Sequence, residues 1–359
     1  MKLWRLVLLL GAVAAGLVAQ GLGGLPQEKA EEIEELITQE MSRQKIPMVT
    51  AAVAVNGELR WSSGYGYADI ENSVPAKAAT VHRLGSISKP LTAVAALQLW
   101  EAGRLDLDAP VQKYVPEFPE KQAPVTARLL LCHQGGIRHY QNLEEVGSTR
   151  HYSALVPALQ IFAKDPLVAE PGAKYSYSTY GYNLLGAVVE RAAGMRFMDY
   201  LQQALLRPAG MTATRDDSTF AVIPNRARGY ARTESGELRN CDLADTSNKI
   251  PGGGMVSTAA DLVRFALAVR NGKLLKRDTV DMMFTAQRTR TGQPTPYGLG
   301  WMIQELDKSK LVLHGGGQQG TSTLLAMLPK EGIAVALLCN LERAEPGPML
   351  HGVLRVLKQ

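Results

Sequence analysis

The sequence predicts an α+β fold, an antiparallel sheet flanked by helices with a large helical domain inserted between its early and late strands. Three observations predict it. Short β-prone runs gather near the two ends of the chain, at 49–65 and 311–339. Between them, from Ser86 to about Arg270, the pattern changes to long helical stretches joined by loops rich in Pro and Gly. No linker, internal repeat or low-complexity tract separates the parts of this 359-residue chain, so the two β-bearing ends are expected to share one sheet.

Along the chain, Lys2 and Arg5 precede the run from Leu6 to Ala19, which is apolar or small throughout. That layout is expected of a secretory signal. Val13 with Ala15, or Leu17 with Ala19, supplies the small-residue pair for cleavage. Leu6 to Leu25, interrupted by Gln20, is close to the roughly 20 residues that span a bilayer, so an N-terminal membrane anchor is the competing expectation. Either way the body of the protein is expected to be exported, periplasmic or secreted. A mitochondrial presequence is disfavoured because the window holds one Arg and no Ser.

From Glu28 to Lys45, Ile33, Leu36, Ile37 and Met41 recur at helical spacing among acids and glutamines, and Pro47 ends the pattern. Val49 to Val55 and Glu58 to Tyr65 flank Asn56-Gly57, whose tolerance of positive φ favours a tight hairpin turn. Leu91 to Ala102 and Leu184 to Ala193 read as helices. Leu311 to Leu313, Ser322 to Leu328 and Ile333 to Cys339 read as strands, and an apolar segment, Met349 to Leu357, follows. The expected parts are therefore a signal or anchor over 1–25, a sheet-containing α/β domain from 26–85 and 290–359, and a mostly helical domain over 86–289.

Composition narrows the chemistry. Lys and Arg number 39 against 34 Asp and Glu, a net charge of +5, too mild to suggest nucleic acid. Hydrophobic residues at 46% and charged residues at 20% are globular values, with enough apolar material for a large core. The sequence holds no Gly-Lys-Ser/Thr phosphate loop, no Cys-x-x-Cys and no His-Glu-x-x-His, so the usual signatures of nucleotide hydrolysis, zinc ribbons and zincins are missing. Cys132, Cys241 and Cys339 are odd in number and far apart, which argues against a disulfide framework.

Ser86-Ile87-Ser88-Lys89 precedes Pro90 and a helical run, placing Ser86 at a helix start with Lys89 one turn on. The positive end of the helix favours an alkoxide-like oxygen, and a lysine desolvated in a cleft shifts toward neutrality and can accept the serine proton. A capping serine beside a solvated lysine is the plainer alternative. Ser42-Arg43-Gln44-Lys45 matches the same pattern at the polar end of the first helix, where solvation explains it.

A second stretch, Glu170-Pro171-Gly172-Ala173-Lys174-Tyr175-Ser176-Tyr177-Ser178-Thr179, feeds an apolar helix. With Ser86-x-x-Lys89 it resembles the serine beta-lactamase and penicillin-binding superfamily, on the branch of class C enzymes, D-amino-acid peptidases and family VIII esterases. Leu130 to Ile137, Pro208 to Thr214 and Gly253 to Phe265 match further segments of that pattern in the same order. Leu99 to Asp108, Tyr114 to Pro119 and Gly136 to Tyr140 are similar to the mitochondrial serine beta-lactamase-like proteins and their bacterial relatives. Gln134 and Gly135 depart from the family's Thr and Ser, which alters the cleft wall.

The resemblance implies a beta-lactamase/transpeptidase-like fold and a serine hydrolase acting through an acyl-enzyme, with no metal or organic cofactor. It assigns Ser86 as nucleophile and Lys89 and Tyr177 as managers of its proton; a phenol beside a cation is expected to have a lowered pKa. For the middle motif, Tyr-x-Asn, Tyr140-Gln141-Asn142 fits the bare pattern and Tyr177-Ser178-Thr179 fits the surroundings, with Thr179 replacing Asn. Tyr177 is chosen, a packed aromatic being its plainer reading. For the third motif the candidates are His133-Gln134-Gly135 and His314-Gly315-Gly316, and chain position selects His314, which would otherwise read as a structural histidine. Family analogy puts the oxyanion hole at the backbone N–H groups of Ser86 and Gly317, with His314, Gly316 and Thr179 beside it. His314 and Gly315 stand where relatives that grip a beta-lactam carboxylate use Lys and Thr, so a peptide or small-molecule ester is the expected substrate ahead of a beta-lactam. A non-catalytic scaffold or binding protein of the same fold is the alternative, with Thr179 as its support.

Overall fold

The computed structural model describes residues 24–359. The expected signal or anchor therefore lies outside the described residues, except for its last two positions. Helix α1, Gln27–Gln44, buries Ile33 and Ile37 and ends where Lys45 turns left-handed, two residues before Pro47. Strands β1, Met48–Val55, and β2, Glu58–Asp69, form the expected hairpin. Asn56 and Gly57 both take positive φ, 54° and 77°, which the right-handed strand twist requires of a two-residue turn.

The late strands are β4, Met302–Leu306, β5, Ser309–Gln318, β6, Thr321–Leu328, and β7, Ile333–Cys339. With β3, Val74–Pro75, they build a seven-stranded antiparallel sheet of order β3-β2-β1-β7-β6-β5-β4. The two ends of the chain meet at β1 and β7, from Val49 opposite Cys339 to Ala54 opposite Ala334. Strand β4 was not among the expected runs. Its turn into β5 is made by Asp307 and Lys308, both at positive φ, so the glycine or asparagine signal of a hairpin is missing there.

Both faces of the sheet are covered. Val49, Ala51 and Val53, with Val335, Leu337 and Cys339, pack beneath α1 and the C-terminal helix α5, Gly347–Lys358. Ala52, Ala54, Ala334, Ala336 and Leu338 face the opposite way, into the larger core of the helical region. That core contains α2, Ser88–Glu101, α3, Thr179–Ala193, and α4, Ala259–Arg270. Burial on both faces explains why β7 reads as an unbroken apolar run instead of an alternation. Helix α2 lies deepest: every residue from Ser88 to Leu97 is buried, so it shows no polar stripe. The three cysteines are free. Among the described residues, no helix is long and apolar enough to cross a membrane.

Candidate active site

The approach to Ser86 is fixed from both sides. His82–Arg83 pairs with Met255–Ser257, and the Leu84 amide continues that pairing by donating to the Met255 carbonyl at 2.8 Å. From the main sheet, Thr321 Oγ1 donates to the Arg83 carbonyl at 3.1 Å and Thr323 Oγ1 to the Leu84 carbonyl at 2.8 Å. Ser86 follows in a short 3₁₀ turn, Gly85–Ile87, which runs directly into α2. Two glycines let β5 lie against this turn. A Cβ on Gly316 would strike the Leu84 carbonyl, and one on Gly85, which has φ of +53°, would come within 2.8 Å of the Gly317 nitrogen. A Cβ on Gly317 would meet nothing within 4 Å, because that residue is exposed in the cleft. Gly316 thus serves packing, and Gly317 is the glycine open to a ligand.

Lys89 is fully buried, with Nζ 2.9 Å from Ser86 Oγ, 3.1 Å from Thr179 Oγ1 and 2.6 Å from the Gly252 carbonyl oxygen. No carboxylate pairs with it among the described residues. Burial, assisted by the charge of Lys249, holds its pKa well below the ordinary lysine value. A neutral amine has two N–H donors and one lone pair. Thr179 and Gly252 can take the donors, leaving the lone pair for the Ser86 proton. Gly252 can approach this closely because it has no side chain; a Cβ there would lie 2.6 Å from Thr179 Cγ2.

The Tyr177 phenol hydrogen-bonds Ser86, and Lys89 Nζ stands 4.8 Å from the Tyr177 ring centroid. The lowered phenol pKa expected from sequence is not found. Burial raises it. Thr179 opens helix α3, whose N-cap is Ser178, accepting from the Gly181 amide at 2.9 Å. The segment is clamped by the loop of the rejected candidates. His133 Nδ1 accepts from the Ser178 amide at 3.1 Å, His139 Nδ1 from the Thr179 amide at 3.2 Å, and Ser178 Oγ donates to the Arg138 carbonyl at 2.7 Å. The His133 ring lies 4.3 Å from that of Tyr177, centroid to centroid, and the Tyr140 side chain hydrogen-bonds Thr179.

His314 is buried on β5. Nδ1 lies 2.7 Å from the Gly315 carbonyl, which can only accept, so Nδ1 carries the hydrogen. Nε2 then accepts from the Tyr297 hydroxyl at 2.8 Å. Burial lowers its pKa to about 3, so the imidazole is neutral and both nitrogens are engaged. Sequence reasoning brought forward Ser86, Lys89, Tyr177, Thr179, His314, Gly316 and Gly317, and the structure brings all of them together around the Ser86 turn. It missed Gly252, Thr321, Thr323, Tyr297 and Lys249, which reach the site through tertiary approach alone. Among the described residues, no group of three or more His, Cys, Asp or Glu is placed to hold a metal ion.

Fold and site together define a class, a serine hydrolase with a serine at a helix start between a buried lysine and a glycine-bearing strand. Residues 33–356 match the Beta-lactamase family, and the chain belongs to it. It is 33% identical over 403 residues to the serine beta-lactamase-like protein LACTB, mitochondrial, of Homo sapiens, covering 82% of this chain and 74% of that one. Among solved structures, an octameric penicillin-binding protein homologue from Pyrococcus abyssi superposes with a TM-score of 0.78 at 25% identity, over 92% of this chain and 78% of that one. The hydrolase EstCE1 superposes with a TM-score of 0.80 at 24% identity, over 93% and 99% of the two chains.

The two glycines of β5 are expected to separate on substitution. Gly316→Ala should lower the unfolding free energy by about 1–3 kcal/mol through overpacking, whereas Gly317→Ala should unfold like the wild type while slowing hydrolysis. Parallel urea titrations and rate measurements check this, and an equally destabilised Gly317→Ala would contradict it.

Acid is expected to destabilise the fold through its buried histidines. His82 and His314 both have pKa values lowered to about 3 by burial, from an ordinary 6.5. The unfolded chain binds protons there below pH 6.5 while the folded protein does not, so stability falls as pH drops from 6.5 toward 3. Between pH 7 and pH 5 these two groups alone should cost about 4 kcal/mol, measurable by urea unfolding at the two pH values.

Proposed function

We propose that Ser86 is the nucleophile of an acyl-enzyme mechanism acting on a peptide or ester carbonyl. The observation that carries this reading is a lysine without a carboxylate partner, fully buried 2.9 Å from a half-buried serine oxygen. As Ser86 Oγ bonds to the carbonyl carbon, its proton passes to Lys89, and the developing oxyanion is held by the backbone N–H groups of Ser86 and Gly317. The leaving group departs with a proton delivered through the Tyr177 phenol, whose raised pKa keeps it in the donor form. Water then attacks the ester and gives up a proton, which Lys89 and Tyr177 pass to the Ser86 oxygen as the bond to the acyl group breaks. In this reading the sheet unit over 26–85 and 290–359 supplies the oxyanion strand, and the helical unit over 86–289 supplies the groups that move the proton.

His314 supports a substrate without a carboxylate to be gripped at this strand. It is neutral and has no free nitrogen, so it offers no cation where a beta-lactam carboxylate would need one. Thr179 gives little support to a non-catalytic scaffold, since its hydroxyl still meets Lys89 at 3.1 Å. Only the second donor of an amide is lost.

Intact mass and burst kinetics with p-nitrophenyl butyrate, a chromogenic cephalosporin and a small peptide panel test this reading. An adduct and a burst that vanish in Ser86→Ala are expected, with the ester or a peptide deacylating faster than the cephalosporin. Turnover independent of Ser86, or no adduct with any of them, would favour the scaffold.

Export to the periplasm or beyond is proposed on the order of Lys2, Arg5 and the run Leu6 to Ala19. N-terminal sequencing of the protein from its native host should find a start after Ala15 or Ala19. An intact N-terminus in the membrane fraction would instead support an anchor.

A further inference from the structure

The site contains a second buried lysine that the proton transfers do not use. Lys249 is 2% exposed, and no carboxylate pairs with it among the described residues. Its Nζ donates to the Val146 carbonyl at 2.6 Å and stands 5.5 Å from the Tyr140 ring centroid. Burying an unneutralised ammonium is costly, and such groups concentrate where chemistry needs them.

Two short paths join this ammonium to Lys89. Through side chains, Lys249 covers Tyr140, the Tyr140 side chain hydrogen-bonds Thr179, and Thr179 Oγ1 meets Lys89 Nζ at 3.1 Å. Through the backbone, Lys249 leads into the helical turn Ile250–Gly253, whose Gly252 carbonyl is 2.6 Å from Lys89 Nζ. Two like charges buried in one site and linked by such contacts cannot both be held cheaply, so the pair favours one proton over two.

Surroundings decide which lysine carries it. Lys249 feels the buried carboxylate of Asp217, although that carboxylate is shared with Arg83 and Arg226, and Arg83 opposes the charge. Its pKa is lowered to about 8 and no further. Among the described residues, no carboxylate pairs with Lys89 and none raises its pKa. Facing it are Ser86, Thr179, the aromatic rings of Tyr177 and Tyr182, and the neutral imidazoles of His133, His139 and His314.

We propose that Lys249 is a positioning residue of the reaction, a fixed second cation whose repulsion keeps Lys89 free to accept the Ser86 proton. This inference rests on the proposed roles of Ser86 and Lys89, but its primary test reads Lys89 directly and needs no turnover. The 13Cε shift of Lys89, assigned with Lys89→Arg, is titrated in the wild type, Lys249→Met, Lys249→Gln and Lys249→Arg. Both neutral variants should raise the Lys89 midpoint by about one pH unit, and Lys249→Arg should leave it in place. The acid limb of kcat/KM for a Ser86-dependent ester should move by the same amount, with activity in Lys249→Met recovering at higher pH. Two neutral side chains of different polarity keep the test open if one fails to fold. A midpoint unmoved in either folded neutral variant, or moved equally by Lys249→Arg, would overturn the proposal. A shifted midpoint with no Ser86-dependent turnover would retain the electrostatic coupling and overturn the acyl-enzyme reading instead.

Discussion

A fully buried lysine with no acid beside it constrains everything around Ser86. Placed in the dry interior, Lys89 can keep a proton only at high cost, so the fold has to satisfy an amine and not an ammonium. Its neighbours are chosen accordingly, a hydroxyl, a peptide carbonyl and aromatic faces, none of which demands a charge. Helix α2 must be apolar on every side to make that environment. It is therefore packed against α3 and the turn at 250–253, and those two elements return the Thr179 and Gly252 acceptors to Lys89. Burial likewise raises the pKa of the Tyr177 phenol.

The sheet contributes a matching constraint of distance. A strand that is to offer a backbone N–H beside Ser86 has to approach the turn carrying that serine closely. Gly316 and Gly85 remove the side chains that would prevent it, while Thr321 and Thr323 hold the 83–84 carbonyls from the neighbouring strand. Because β5 and β6 come late in the chain and Ser86 comes early, the approach depends on the β1–β7 pairing that joins the two ends. The sheet topology is in this sense part of the site.

Much of this arrangement was legible in the sequence because several of its parts are local. Asn56-Gly57 announces its own turn, and Ser86, Pro90 and Lys89 fall within one helix start. Tyr177 and Thr179 precede an apolar helix whose N-cap is Ser178. The unreadable parts are those defined by approach. Asp307 and Lys308 turn β4 into β5 without turn chemistry, so a whole strand was overlooked. The run Gly315-Gly316-Gly317 was visible, but the division between a glycine that packs and a glycine that faces the cleft depends on Leu84, some 230 residues away in sequence. His133 and Tyr140 were weighed as rival motif residues. Folding places both beside the chosen ones, His133 against Tyr177 and Tyr140 on Thr179, so the rival patterns mark one neighbourhood. The direction of the Tyr177 shift differs from the expectation because the burial that raises the phenol's pKa is not visible in the sequence.

Charge in this protein is kept one layer back from the reacting atoms. Arg138 is paired with Glu145 and Asp165 beneath the loop that holds Thr179, and Arg83 is paired with Asp217 behind the nucleophile turn. These pairs fix backbone carbonyls and helix starts, while burial disfavours charge on Lys89, Tyr177 and His314. An inner layer in which charge is disfavoured suits an uncharged carbonyl in the proposed acyl-enzyme reaction. It also bears on Thr179. A threonine hydroxyl keeps the contact to Lys89 but offers a substrate nothing further, so specificity has to come from shape and from the β5 backbone.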